Sequence, residues 1–70
     1  MVDSMHLTVN GKPREIDGAT TLLGYLEQIG IDPRIVAVEY NGDIVKRDRY
    51  AEIELSDGDT LEVVRMVGGG

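Results

Sequence analysis

Two Asn-Gly dipeptides, at residues 10–11 and 41–42, constrain the fold of this chain more than any other feature. Asn and Gly both tolerate the positive φ angles that a two-residue hairpin turn requires at its central positions. The first dipeptide lies between residues 5–10, where apolar and polar side chains alternate, and a weaker charged segment at residues 12–16. The second connects an apolar run ending at Val38 to a short apolar pair at residues 44–45. The sequence therefore predicts two units of strand, turn and strand.

The segment between these units predicts one helix, ending near Ile29. Its apolar residues recur at the spacing of a single helix face, and they are Leu22, Tyr25, Leu26 and Ile29. Thr20 or Thr21 can cap its N-terminus, and Gly30 suits the position just beyond its C-terminus. Gly24 falls opposite the apolar face. We therefore expect it to be exposed, and we expect Gly24→Ala to stabilise the helix by about 0.5–1 kcal/mol.

Residues 60–66 predict a last strand that is apolar on both faces. Leu61 and Val63 lie on one face, and Val64 and Met66 lie on the other. A strand of this kind is either central in a sheet or part of a binding surface. Val64 and Met66 therefore either cover the second side of the sheet or form an apolar docking patch for a partner.

The order of elements predicts an α+β fold of the β-grasp type, in which a mixed sheet of four to five strands packs on one helix. The last strand would lie beside the first, and the run at residues 35–38 would be a buried strand. Residues 46–54 are expected to be irregular, with Tyr50 filling the core, and Asp57 and Asp59 are interpreted as turn formers around Gly58. The domain would span residues 1–67, with residues 1–4 an N-terminal extension.

Composition narrows the classes of function. A chain of 70 residues buries roughly 60% of its surface on folding, which leaves little room for a deep pocket of its own. A net charge of −6 disfavours binding to nucleic acid and to anionic membranes. The absence of Cys excludes a thiolate nucleophile, and the single His6 excludes a multi-His metal site. With no signal peptide and no apolar run that could span a bilayer, we expect the cytoplasm as compartment.

The chain ends in three glycines, Gly68, Gly69 and Gly70. Glycines form a thin, flexible thread, and three extended residues reach roughly 10 Å. Such a tail is either a loose terminus or a thread that carries the carboxylate of Gly70 into a narrow channel of another protein. No polar linker separates the tail from the last strand, and no residue follows it in this sequence. Both facts favour the second interpretation.

From residue 5 to residue 70 the chain resembles the small ubiquitin-like sulfur carriers of the ThiS/MoaD family, most closely the ThiS type. The matching pieces, in order, are Asn10-Gly11, Thr21-Leu22, Val36-Ala37-Val38, Asn41-Gly42, Ile44-Val45 with Arg47, Asp57-Gly58-Asp59, and Leu61-Glu62-Val63-Val64 before the glycines. Each piece is common alone, but their order and spacing are specific. The chain departs from the family pattern at Lys46, where Pro is frequent, at Tyr50, where Trp is frequent, and in having a third terminal glycine.

The resemblance implies a carrier rather than a catalyst. In this family, a ThiF-type enzyme uses ATP to adenylate the terminal glycine, here Gly70. A sulfur donor, such as a cysteine desulfurase or a rhodanese-like protein, then converts the adenylate to a thiocarboxylate. A ThiG-type thiazole synthase receives the sulfur. The resemblance also implies that Gly68 and Gly69 thread into the partner, and that ATP and metal belong to the partner, so that this chain binds no cofactor. If Val64 and Met66 form a docking patch rather than a cover for the second side of the sheet, the activating enzyme is the partner that would bind it.

Other functions stay open at this point. The same fold and tail occur in the small subunit of molybdopterin synthase and in carriers for tRNA thiolation, although the former chains are usually longer. Outside the sulfur carriers, the chain could be an unconjugated ubiquitin-like interaction module or a small acidic subunit that supports a larger enzyme.

Overall fold

A computed structural model describes residues 4–66 of the chain. The strands are β1 (Ser4–Val9), β2 (Lys12–Asp17), β3 (Val36–Tyr40), β4 (Asp43–Val45) and β5 (Thr60–Arg65), and the helix is α1 (Leu22–Gln28). Single 3₁₀ turns at Pro33–Ile35 and Arg47–Arg49 lie on either side of the β3–β4 hairpin. The predicted glycine tail, residues 68–70, lies outside the described residues. Ser4, which was expected to belong to an N-terminal extension, is the first residue of β1.

The strands form one five-stranded mixed sheet in the order β2-β1-β5-β3-β4. The outer pairs are antiparallel hairpins, whereas β1 and β5 are parallel and occupy the middle. One helix packs on this sheet, so the predicted β-grasp fold is confirmed, including the neighbouring first and last strands. Pro13 lies on β2, an edge strand, where its missing N–H deprives no neighbouring strand of a hydrogen bond.

Both Asn-Gly dipeptides form the expected hairpin turns. Asn10 and Gly11 have φ angles of 53° and 79°, and Asn41 and Gly42 have φ angles of 51° and 91°. These angles lie in the left-handed region that such turns require. The turns place Met5 opposite Ile16 and Val38 opposite Val45, so each hairpin turns its apolar residues toward the helix.

Helix α1 contributes Leu22, Tyr25 and Leu26 to the core, and each is at most 3% exposed. Thr21 caps the helix, because its hydroxyl accepts a hydrogen bond from the Gly24 N–H at 3.0 Å. The prediction that Ile29 belongs to the buried face is wrong, since Ile29 is 44% exposed.

The helix ends at Gln28, so Ile29 is its C-terminal cap and its side chain is exposed. The N–H of Gly30 donates to the Glu27 carbonyl at 3.1 Å, and the N–H of Ile31 donates to the Leu26 carbonyl at 2.9 Å. These two bonds, with a φ of +80° at Gly30, form a Schellman motif. Ile31, beyond the glycine, packs against the core in place of Ile29.

Gly24 is half-buried, so the interpretation of this residue as exposed and without a packing role is wrong. A Cβ at Gly24 would lie 2.5 Å from the Thr20 hydroxyl oxygen and 3.3 Å from that of Thr21. The Thr21 oxygen is the capping atom. A side chain at position 24 would therefore displace the Thr20 hydroxyl, which lies over the first turn of the helix.

The irregular segment before β5 closes the core. Tyr50 is 2% exposed, which confirms its predicted role, and its carbonyl accepts a hydrogen bond from the Leu23 N–H at 3.0 Å. The predicted buried strand at residues 35–38 begins one residue later. Ile35 belongs to the 3₁₀ turn and is 40% exposed, whereas Val36 and Val38 are buried.

Candidate functional site

The strand that leads to the glycine tail lies in the centre of the sheet. β5 pairs in parallel with β1 at Thr8 and Val9, and it pairs antiparallel with β3 from Leu61 to Arg65. Leu61 is fully buried and Val63 is half-buried on the helix side. The start of β5 is therefore held by ladders on both sides, and its end, up to Arg65, is held by the ladder with β3.

Asp59 fixes the start of β5. Its Oδ2 atom accepts hydrogen bonds from the Tyr40 hydroxyl at 2.8 Å and from the Ser56 N–H at 2.7 Å. Its Oδ1 atom accepts from the side-chain amide of Asn41 at 3.1 Å. Asp59 is only 9% exposed, and its carbonyl accepts from the Thr8 N–H at 3.0 Å. One carboxylate thus joins the β3–β4 turn to the loop before β5.

The environment of Asp59 favours its charged form. Burial by itself raises the pKa of this carboxyl, but hydrogen bonds from Ser56, Asn41 and Tyr40 together hold the pKa below its ordinary value. The same contact raises the pKa of Tyr40, because the hydroxyl donates to a carboxylate, and burial adds to this shift. Asp59 is therefore a structural anchor as well as a turn former, and its carboxylate is fully occupied by donors of the protein.

The two turn asparagines also hold β5. The side-chain amide of Asn10 donates to the Val63 carbonyl at 3.1 Å, and its oxygen accepts from the Val63 N–H at 2.7 Å. Asn41 accepts from the Thr60 N–H at 2.8 Å through its side-chain oxygen. The two bonds from Asn10 satisfy the backbone N–H and carbonyl of Val63, which lies beyond Leu61, the last residue that β5 pairs with β1. Sequence reasoning identified Asn10 and Asn41 as turn formers but missed their side-chain bonds to β5. The only signal for these bonds in the sequence is that Asn, rather than Gly, occupies the first position of each turn.

A backbone bond continues the pairing with β3 beyond the end of β5. The N–H of Met66 donates to the Ile35 carbonyl at 2.7 Å, one residue beyond the register pair of Val36 and Arg65. Gly68, Gly69 and Gly70, the residues predicted to thread into a partner and carry sulfur, lie outside the described residues.

The sheet face opposite the helix carries an exposed apolar surface. Val64 is 59% exposed, Met66 is 56% exposed, and Ile44 on the edge strand β4 is 79% exposed. No element among residues 4–66 packs on this face, so Val64 and Met66 do not cover a second core. The exposure of Val64 and Met66 does not test their docking on a partner, which stays a prediction. Ile44 was missed because β4 is too short to show which of its faces is apolar.

The described part of the chain offers no other site for chemistry. Residues 4–66 hold no cluster of His, Asp and Glu side chains that could bind a metal ion. The His6 side chain is 71% exposed, with Glu15 at 3.8 Å and Asp57 at 3.5 Å. Arg49 pairs with Glu52 at 2.8 Å, and Arg47 donates to the Arg34 carbonyl at 3.2 Å. Across residues 4–66 the helices are too short and too polar to span a membrane.

Comparison with known proteins identifies the family. Residues 7–70 match the model of the ThiS family. The chain belongs to the ThiS family. It is 40% identical over 65 residues to the sulfur carrier protein ThiS of Bacillus subtilis, and the match covers 91% of this chain and 98% of that protein. The family's role as small sulfur carriers in thiamine biosynthesis agrees with the fold and with the terminal glycines.

A solved structure and a second kind of relative agree with this assignment. The crystal structure of the thiamine biosynthesis protein ThiS from Geobacter metallireducens superposes with a TM-score of 0.82 at 35% identity, covering 94% of this chain and all of that one. The chain is also 42% identical over 66 residues to a thiazole synthase of Paramagnetospirillum magneticum. It spans about a fifth of that protein's length, and about a fifth of a second thiazole synthase, from Magnetococcus marinus.

Proposed function

We propose that this chain is the sulfur carrier for synthesis of the thiazole ring of thiamine, and that it acts as a protein co-substrate rather than as an enzyme. Sulfur would be carried on the α-carboxyl of Gly70 as a thiocarboxylate. The observation that carries the proposal is the match to the ThiS family from residue 7 to the last glycine. The pairing of β5 with β3 up to Arg65 supports it, since a carrier needs its tail to start from a defined position.

The chemistry follows from the inertness of a carboxylate. Resonance and negative charge make it a poor electrophile, so it must first be activated. A carboxylate oxygen of Gly70 attacks the α-phosphorus of ATP, and pyrophosphate leaves. The terminal sulfur of a donor persulfide then adds to the acyl carbon and AMP leaves, which gives an acyl disulfide. A second thiol attacks the donor's sulfur, so that the S–S bond breaks, the thiocarboxylate is released and the two thiols remain joined as a disulfide. ATP, its metal ion and the sulfur would be supplied by a ThiF-type adenylating enzyme and a sulfur donor such as a cysteine desulfurase or a rhodanese-like protein.

Two relatives support a thiazole synthase as the acceptor of the sulfur. Both are named thiazole synthase, and both contain a segment at least 41% identical to this chain. A carrier and an acceptor that occur in one polypeptide act in the same reaction sequence. These relatives favour thiazole synthesis over molybdopterin synthesis and tRNA thiolation, the alternatives left open by the sequence.

The proposed docking patch consists of Val64 and Met66, which project from β5 immediately before the tail. A partner that binds this patch would receive the tail directly, with Gly68 and Gly69 in the channel and Gly70 at the nucleotide. Glycines suit a narrow channel because they have no side chain, and a β-branched residue at position 69 would thicken the thread and restrict φ.

The intact mass of the chain after incubation with an adenylating enzyme, ATP and a sulfur donor tests the carrier function. We expect a product whose mass corresponds to exchange of one oxygen for sulfur at Gly70, together with release of pyrophosphate. A variant with one residue added after Gly70 is the matched control, because it keeps the fold and the patch but replaces the acid by an amide. Sulfur transfer to the extended chain, without trimming back to Gly70, would refute the mechanism.

The variant Met66→Asp tests the docking patch. Because Met66 is 56% exposed, we expect its thermal midpoint to stay close to that of the wild type, while binding to the adenylating enzyme is weakened by a buried, unpaired carboxylate. Ile29→Asp is the control, since Ile29 is similarly exposed but lies at the end of α1, away from the patch. Equal binding by both variants, or unfolding of Met66→Asp, would contradict the patch.

A further inference from the structure

Each of the two Asn-Gly turns brings together groups that can react with each other. The backbone nitrogen of the glycine can attack the side-chain amide carbon of the asparagine, because glycine has no Cβ to hinder the approach. A C–N bond forms, the bond from that carbon to the side-chain NH₂ breaks, and ammonia leaves with the proton of the attacking N–H. Water then opens the cyclic imide at either of its carbonyl carbons, which gives aspartate or isoaspartate. Residues 10–11 and 41–42 both have the sequence for this deamidation.

Hydrogen bonds to neighbouring residues oppose this reaction in the folded chain. Both polar atoms of the Asn10 side chain are bonded to the backbone of Val63, at 2.7 and 3.1 Å. The side-chain oxygen of Asn41 accepts from the Thr60 N–H at 2.8 Å, and its NH₂ group donates to Asp59 at 3.1 Å. Each amide carbon can turn toward the following glycine only after these bonds break. Deamidation therefore requires a local opening of the turn, and its rate reports how firmly that turn is held.

The two turns are not held equally. The NH₂ group of Asn10 donates to a neutral backbone carbonyl, on a residue that lies beyond the end of the ladder between β1 and β5. The NH₂ group of Asn41 donates to the carboxylate of Asp59, which is 9% exposed and accepts two further hydrogen bonds from the protein. A charged acceptor strengthens this bond, and breaking it disturbs a buried network. Opening the turn at Asn41 therefore costs more free energy than opening the turn at Asn10.

We propose that Asn10 is a site of spontaneous deamidation in the folded chain, and that the bond to Asp59 protects Asn41 from the same reaction. Both asparagines are exposed, so water reaches the imide at either turn and the difference lies in the opening step. The reaction needs no partner protein and does not depend on the proposed function.

Deamidation at Asn10 would loosen the strand that leads to the tail. An ionised carboxylate at this position has no N–H to donate, so the Val63 carbonyl loses its side-chain donor, although the Val63 N–H keeps an acceptor. Isoaspartate also adds a methylene group to the backbone of the turn, which changes the geometry that joins β1 to β2. The modified chain would hold the middle of β5 less firmly than the original chain.

The test follows the wild-type chain by peptide mapping and mass spectrometry at mildly alkaline pH, in native buffer and in urea above the unfolding midpoint. Conversion to aspartate and isoaspartate is measured separately at each turn. In urea both turns are open, so the rates there give the reactivity set by neighbouring residues alone. The rate in urea divided by the native rate is the protection of that turn. We expect the protection of Asn41 to exceed that of Asn10 by at least about tenfold, because a bond to a buried carboxylate is the stronger one.

The variant Asp59→Asn should reduce the protection of Asn41 and leave that of Asn10 nearly unchanged, with Asp57→Asn as the control. Because both turns lie in one molecule, Asn10 also records any global loss of stability, and the wild-type rates decide the inference if the variant does not fold.

Equal protection of the two turns in the wild type, or greater protection of Asn10, would overturn the inference. Hydrogen exchange at the Val63 N–H checks the structural consequence: we expect faster exchange in the purified chain deamidated at Asn10, and unchanged exchange would refute the loosening of β5.

Discussion

The substitution Asp59→Asn tests whether one carboxylate holds the start of the tail-bearing strand. It keeps the size of the side chain but replaces one acceptor oxygen by an NH₂ donor. If the NH₂ group takes the place of Oδ2, it faces the Ser56 N–H, and if it takes the place of Oδ1, it faces the side-chain amide of Asn41. Asn41 cannot simply turn its amide over, because its oxygen already accepts from the Thr60 N–H. One donor therefore opposes another in either orientation.

The magnitude follows from these contacts. A buried donor left without a partner costs about 1–3 kcal/mol, and hydrogen bonds that remain lose the extra strength of a charged acceptor. We expect a loss of about 2–3 kcal/mol in the free energy of unfolding. A domain of this size has about 4–10 kcal/mol in total. The thermal midpoint should therefore fall by about 10–15 °C.

The assay is thermal and urea unfolding followed by circular dichroism, with Asp57→Asn as the matched control. Asp57 lies in the same turn, and its Oδ1 atom accepts from the His6 N–H at 2.7 Å, but its side chain is 68% exposed. Water can replace that bond, so we expect Asp57→Asn to cost less than about 1 kcal/mol. A midpoint for Asp59→Asn equal to or above that of Asp57→Asn would refute the argument.

The pH dependence gives an independent check on Asp59. Its pKa is lower in the folded chain than the ordinary value of 3.8, so the folded state releases the proton more readily than the unfolded state. The carboxylate therefore contributes stability above pH 3.8, and this contribution is lost as pH falls through the lowered folded-state pKa. The stability difference between wild type and Asp59→Asn should shrink in that range. A difference that stays constant down to pH 2 would show that the charge of Asp59 is not responsible.

The remaining predictions are checked by urea unfolding. We expect Gly24→Ala to destabilise the chain by about 0.5–2 kcal/mol, because the new methyl group meets the Thr20 hydroxyl. In a Thr20→Ala background that hydroxyl is gone, and the same substitution should stabilise the chain by up to about 1 kcal/mol. Stabilisation in both backgrounds would contradict the contact between Thr20 and position 24. Asn10→Gly keeps the turn but removes both bonds to β5, so a loss of about 1–2 kcal/mol is expected, and an unchanged midpoint would count against the second role of this residue. Leu26→Ala should lower the free energy of unfolding by about 2–5 kcal/mol, and Ile29→Ala should lower it by less than about 1 kcal/mol. Similar losses for the two variants would show that Ile29 belongs to the core.

Features that are set by residues close together in the sequence were predicted correctly. The two Asn-Gly turns, the apolar face of α1 and the alternation in β1 each rest on residues within one turn or one strand. Ile29 and Gly24 were misjudged because each depends on the ends of the helix. Helical periodicity assigns Ile29 to the buried face, but the Schellman motif at Gly30 ends the helix first and uses Ile31 instead. The position of the Thr20 side chain over Gly24 is likewise a property of the cap, which periodicity does not describe.

The parts of the candidate site that were missed involve residues far apart in sequence. Asp59 was correctly interpreted as a turn former, but its bonds to Tyr40 and Asn41 depend on how β3 and β5 lie against each other. The same holds for Asn10, whose side chain reaches the middle of β5. Sequence patterns predicted that Val64 and Met66 share a face, because they are two residues apart on one strand. They could not predict that Ile44 joins this surface from another strand.

The register of β3 against β5 decides which residues share the exposed face of the sheet. Glu39 and Glu62 are neighbours only because β3 and β5 pair with Val38 opposite Val63. A shift of one residue in this pairing would place Glu62 opposite a buried position of β3 and turn the docking residues toward the helix. The register of β5 against β3 is held at the start by Asp59, which bonds Tyr40 and Asn41, and at the end by the Met66 N–H, while Asn10 ties the middle of β5 to the first hairpin. The hydrogen bonds that stabilise the fold are therefore the same ones that keep the apolar patch and the base of the tail in one fixed arrangement.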